Sequence, residues 1–178
     1  MKTIENGAGE ELTFIRVVYE RDGDRLLLEN RVQPGSGPPM HVHYCQEEVL
    51  TVIAGRMAYE VSGQEVRYAG PGETAAFAPG VVHRFWNAGQ DELRCTVWVK
   101  PANNLPFYLT ALFASMRRTG KGRPDPFDIA YLLSRYGSEF GVPALPAIVR
   151  KVVFPVQVAV GNMLGKFEKF KDAPAPLV

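Results

Sequence analysis

Between about Leu12 and Lys100 the chain is cut into short β-prone runs by turn residues that recur roughly every 8–12 positions. The runs are LTFIRVVYE, RLLLENRVQ, EEVLTVIAGRMAYEV, EVRYAGPG, ETAAFAPG, VHRFWNAG and ELRCTVWVKP. Between them stand RDGD, PGSGPP, SGQ and similar clusters, where glycine, proline and aspartate favour reversal of the chain. This spacing predicts an all-β sandwich or barrel. Several runs are apolar on both faces. In VLTVI, Leu50 and Val52 alternate with Val49, Thr51 and Ile53, so the strand asks for cover outside as well as inside, from helices or a second subunit.

The pattern changes after Pro101. NNLPFYLTALFASMRRTG offers Asn103 or Asn104 as an N-cap, an early proline, two late arginines and Gly120 as a stop, which predicts a helix. DPFDIAYLLSRYG opens with Asp125 as cap and Pro126 at the first helical position, with Ile129, Leu132, Leu133 and Tyr136 as its apolar stripe. A third helical periodicity runs from about Pro146 to Phe170, with Pro155 expected to kink it. VQVAV within it also fits a strand. The tail DAPAPLV reads as extended and loosely held.

Composition narrows the function classes. The 178 residues suit one domain or one domain with an extension, and the net charge of +1 argues against a broad nucleic-acid footprint. Cys45 and Cys95, the only cysteines, lack CxxC spacing and read as buried thiols. The N-terminus lacks an apolar signal core, and no long uncharged apolar stretch is present, so a reducing cytoplasm is the expected location. The segment 146–171 carries several lysines and arginines. A basic amphipathic helix there can lie on a membrane surface, but packing on its own domain or a partner subunit is the reading adopted.

Only three histidines occur, and two lie one residue apart at His41 and His43. On a strand, such positions share a face and reach one cavity. Glu48 stands at an odd offset from His43, so a turn or bulge within YCQE is needed to return it to the same side; Glu47 is the competing acid. His83, far off in sequence, joins them if its strand crosses the same barrel. Three imidazoles and one carboxylate suit a divalent first-row metal and leave positions open for a substrate. A Ser-His-Asp hydrolase is disfavoured, since GxSxG is missing and the histidines are already used.

GSGPPMHVHYCQEEVLTVIAG resembles the first motif of the cupin superfamily: Gly35, His41, His43, Glu48 and Gly55 fill its positions, and the gap to Gly55 selects Glu48 over Glu47. GETAAFAPGVVHRFWN is similar to the second cupin motif through Gly72, Gly80, His83 and Asn87, except that Ala78 stands where proline is expected and Pro79 follows it. The resemblance implies a mainly β, jelly-roll β-barrel, placed over 1–101; the helical extension over 102–178, packed on the barrel or a partner subunit, lies outside its motifs and rests on the helical pattern alone. The resemblance also implies His41, His43, Glu48 and His83 as ligands of one divalent transition metal per chain, whether manganese, iron, cobalt, nickel, copper or zinc, and a homodimer. Asn87 reads better as an ordinary turn residue than as part of the site.

Met40, Met57, Tyr59, Phe77, Phe85 and Val97 are candidates for an apolar pocket over the metal, against a competing reading as simple core. Tyr44 and Gln46, beside the ligands, either touch substrate or shape the turn. The implied function is a metal-dependent enzyme on a small organic molecule, of dioxygenase or isomerase type, with Glu48 also able to act as a base. The alternative is a non-catalytic module that binds or senses a small molecule. No helix-turn-helix signal precedes the β-region.

Overall fold

The computed structural model describes residues 1–177. Among the described residues, eleven strands form two antiparallel sheets. The first orders β1 (Lys2–Glu5), β2 (Glu10–Val18), β3 (Arg25–Val32), β10 (Leu93–Lys100), β5 (Glu47–Ala54) and β8 (Thr74–Phe77). The second orders β11 (Phe140–Gly141), β4 (His41–His43), β9 (Val82–Asn87), β6 (Met57–Val61) and β7 (Arg67–Ala69). From β3 onward the chain passes back and forth between the sheets, which is the jelly-roll arrangement. Alternate residues face inward: Leu26, Leu28, Asn30 and Val32 of β3, and Cys95, Val97 and Val99 of β10, are all buried. On β5, Glu48, Leu50 and Val52 are buried by the same alternation; on its other face Val49 is buried and Ile53 is 48% exposed.

Gly55 makes the β5–β6 reversal. Its φ is +87°, and a Cβ there would meet the Glu92 carbonyl oxygen and Leu93 Cα at 2.9 Å. Glycine alone satisfies both constraints. Asn87 ties the neighbouring turn: its amide donates to the carbonyls of Val32 and Asp91 while its oxygen accepts from the Gly89 N–H.

Three helices follow: α1 (Leu105–Thr119), α2 (Pro126–Arg135) and α3 (Phe154–Met163). Asp125 caps α2 by accepting from the Phe127 N–H, and Gly120 ends α1 in the left-handed conformation. Asn104 occupies the N-cap position of α1 without capping it, because its side chain donates to Glu139 and to the Ala175 carbonyl instead. Before Pro155 the chain forms a π-helical turn, Val149–Val153, and α3 begins at Phe154 with the proline in its first turn. Residues 147–163 thus run as one helical stretch with a π-turn just before Pro155, and VQVAV is helical. A proline inside a helix removes one backbone donor and crowds the carbonyl four residues back, and the wider π-turn accommodates both effects.

Three further expectations change. The tail is extended but tied down: carbonyls of Ala173 and Pro174 accept from Arg135, Pro174 also from Tyr136, and Leu177 from Ser138. Cys45 is exposed rather than buried, because it sits in the bend between β4 and β5; Cys95 is buried, and both are free. The segment after Pro101 is also not wholly helical, since β11 pairs Phe140 with His43 and Gly141 with Val42.

Leu105, Tyr108, Phe113, Leu132, Phe140 and Phe167 share one continuous core with the sheets. Segment α3 buries Phe154 and Gly161, the latter beneath Phe167, while Ile148, Val152, Val156, Val160, Met163 and Leu164 remain exposed. Among the described residues no helix is long and apolar enough to cross a membrane.

Candidate metal centre and its cavity

The odd offset of Glu48 is resolved by a change of sheet. Residues 44–46 bend between β4 and β5, so His41 and His43 lie in one sheet while Glu48 comes from the facing one. His83 lies on β9 directly opposite His41. One ligand atom from each of His41, His43, Glu48 and His83 falls within 4.8 Å of the others. Glu48 Oε2 is 2.9 Å from His83 Nε2, 3.7 Å from His43 Nε2 and 3.9 Å from His41 Nε2. Glu47 is exposed and takes no part.

The surroundings aim these atoms. His41 Nδ1 lies 2.8 Å from the Pro39 carbonyl oxygen, and His83 Nδ1 lies 2.9 Å from that of Val81. A carbonyl only accepts, so both Nδ1 atoms carry a proton and both Nε2 atoms turn toward Glu48, that of His83 within hydrogen-bond distance of Oε2. Phe77 stacks on the His83 ring at 3.9 Å between centroids, which holds its plane. Phe140 meets the His43 ring edge-on.

Electrostatics keep the cluster in a ligand-ready form. Burial lowers the His41 pKa to about 3, and burial likewise lowers that of His43, so both stay neutral near pH 7. Burial alone would raise Glu48, but the His83 hydrogen bond and the neighbouring imidazoles outweigh it and bring the carboxyl down to about 2. Convergent imidazole nitrogens around an anionic oxygen have the chemistry of a divalent cation site, with an ion displacing the proton shared by His83 and Glu48. The residues present fit such an ion.

The cluster opens on a cavity of about 730 Å³. His41, His43 and Glu48 lie in its wall. Tyr108 and Leu112 of α1 and Ile129 and Leu133 of α2 close it on the helical side. Among the residues proposed for the pocket, Phe85 and Val97 line it. Met40, Tyr44, Met57, Tyr59 and Phe77 do not. Met57 is wholly buried as core, Phe77 is taken up against His83, Tyr59 meets Phe77, and Tyr44 is exposed beside Gly141. Met40, half-buried, lies just before β4 and outside the cavity lining. Gln46 is fully buried in the bend between β4 and β5 and also lies outside it. Arg84 pairs with Glu60 and lies over Trp86.

Sequence reasoning missed the helices as cavity walls, since nothing local says which face of α1 or α2 meets a cavity. It also missed Glu10 and Asn30, which line the cavity. Their signal was available: Asn30 shares inward parity with Leu26, Leu28 and Val32, and Glu10 with Leu12, and a polar residue at an apolar parity is out of pattern.

Comparison with known proteins agrees with this architecture. Residues 29–100 match the family model described as Cupin domain. A curated relative, the probable oxidoreductase virH of Hypocrea virens, is 31% identical over 103 residues, covering 53% of this chain and 47% of that protein. The chain thus spans about half the length of the curated relative it matches. Among solved structures, a Klebsiella pneumoniae conserved protein with a double-stranded beta-helix domain is 30% identical, with a TM-score of 0.43 over 51% of this chain and 74% of that one. KdgF from Halomonas sp. is 17% identical, with a TM-score of 0.47 over 57% of this chain and 88% of that one. The matched stretch contains all four residues of the cluster and most of the two-sheet fold, and the chain belongs to the cupin superfamily.

Proposed function

We propose that this protein is a metal-dependent cupin enzyme that acts on a small, largely apolar organic molecule, in a reaction of the dioxygenase or isomerase type. One observation carries the reading: the acceptor atoms of His41, His43, Glu48 and His83 converge beside a cavity of about 730 Å³. A divalent ion bound there would supply Lewis-acid polarisation of the substrate or activation of dioxygen. His41, His43, Glu48 and His83 would hold it. Glu48 is also placed to take a substrate proton at Oε2, and the apolar walls exclude water from it. The similarity to a probable oxidoreductase supports an oxidative reaction.

The first test is metal content by plasma mass spectrometry on the wild type and on His83→Ala. About one transition metal per chain is expected in the wild type and loss of most of it in the variant, since removal of one ligand of four weakens affinity steeply. An oxygen-uptake screen on enediols and flavonols follows. A protein that neither carries nor takes up metal would refute the reading. Metal and ligand binding with no turnover on any substrate class would favour a binding or sensing module.

A further inference from the structure

The cavity has a second polar end, away from the histidines. Glu10 and Asn30 stand on the adjacent strands β2 and β3, and both line it with Asn6. Asn30 Nδ2 donates to Glu10 Oε1 at 3.1 Å, and Asn6 Nδ2 donates to Glu10 Oε2 at 3.3 Å. Asn6 Oδ1 is used locally, accepting from the N–H groups of Ala8 and Glu10. Asn30 Oδ1 has no partner, although Asn30 is only 3% exposed. An unpaired carbonyl oxygen at such a position costs stability unless something donates to it.

Strand register shows the separation. Asn30 pairs with Cys95 of β10, whereas Glu48 pairs with Val99 of the same strand. Four residues of strand span about 13 Å. Between the two levels the wall is apolar, with Leu28 and Val97 facing in, and Leu12 beside them. The two carboxylates still sense each other across this space: burial raises the Glu10 carboxyl to about 7, and the charge of Glu48 adds to the rise. A cavity with an acceptor pair at one end, an apolar middle and a cluster of metal-type ligands at the other is shaped for an elongated molecule.

We propose that Glu10 and Asn30 form a polar anchor that receives a hydroxyl group at the far end of the ligand, with the hydroxyl hydrogen donated to Asn30 Oδ1 and the Glu10 carboxyl beside it. This deepens the functional reading above and rests on it for the placement of the ligand's other end at the histidine–glutamate cluster. The anchor selects among apolar molecules by a terminal hydroxyl, because a ligand lacking one leaves Asn30 Oδ1 unpaired.

The test uses two probes, 4-butylcatechol and 4-(4-hydroxybutyl)catechol, titrated by calorimetry into the full chain, both as purified and loaded with redox-inert zinc. The hydroxylated probe should bind the wild type about tenfold more tightly, as one hydrogen bond to a buried acceptor allows. Asn30→Val should abolish that preference. Glu10→Gln, which keeps the shape and removes the charge, should reduce it and serves if Asn30→Val does not fold. Equal binding of the two probes by wild type, binding of neither, or a preference that survives both substitutions would overturn the anchor. Zinc stoichiometry in the same samples separates the two ideas. Zinc bound with no hydroxyl preference overturns the anchor alone. A preference without zinc binding supports the anchor and sinks the metal reading.

Discussion

At the scale of single residues, the cavity holds two carboxyls with opposite tuning. Glu48 is drawn down to about 2 by His83 and its neighbours, whereas Glu10 is pushed up to about 7 by burial. For Glu10 the folded protein binds a proton more tightly than the unfolded chain does. Stability is therefore unpenalised below about pH 4.5, and falls as pH rises through 7. The full penalty is about 3 kcal/mol, since each tenfold difference in proton affinity between the folded and unfolded chain is worth roughly 1.4 kcal/mol. Glu10→Gln should then unfold at a higher temperature than wild type at pH 8, with the gap closing near pH 4.5. Melting curves by circular dichroism across this range check it; a gap independent of pH would contradict the assignment to Glu10.

At the scale of elements, local chemistry sets where strands and helices begin and end. Gly55→Ala forces a Cβ onto backbone atoms of Glu92 and Leu93 at a positive φ, and should cost about 1–3 kcal/mol in urea unfolding. A cost under a few tenths would show that the β5–β6 reversal can relax. Asp125→Ala removes the cap on α2 and should cost about 1 kcal/mol. Asn104→Ala is different in kind, because its amide serves Glu139 and the tail rather than the helix it precedes. Its loss should loosen residues 171–177, read as faster hydrogen exchange there with α1 still protected.

At the scale of the whole molecule, the sheets and the helices close one core and one cavity. Tyr108, Leu112, Ile129 and Leu133 form the helical side of the cavity that the histidine–glutamate cluster opens on. Truncation after Pro101 should therefore expose a broad apolar surface, with strong binding of an apolar dye and loss of cooperative unfolding. A shortened chain that unfolds cooperatively and stays monomeric would mean that the jelly roll is self-sufficient and the helices an independent addition. The exposed row Ile148, Val152, Val156, Val160 on the third helical segment follows from the same packing: Phe154 and Gly161 occupy the side that meets the core.

The β-strand succession, the change to helices after Pro101, the cap and stop residues and the pairing of His41 with His43 were legible in the chain itself. Each depends on short-range geometry: alternation along a strand, the φ that glycine permits, the acceptor that an aspartate offers to a helix end. Glu48 was legible through the resemblance carried by Gly55, and its reach was not, since the bend at 44–46 moves it to the facing sheet. Which residues line the cavity was decided only by tertiary structure. Phe77 and Met57 have the same inward parity as Phe85 and Val97, yet one pair fills the core and the other faces the cavity. Parity tells which side of a sheet a residue takes, but whether space or another side chain lies there depends on the facing sheet and on helices far along the chain. Glu10 and Asn30 acquired their meaning in the same way, because an unpaired acceptor becomes apparent only when the atoms around it are in place.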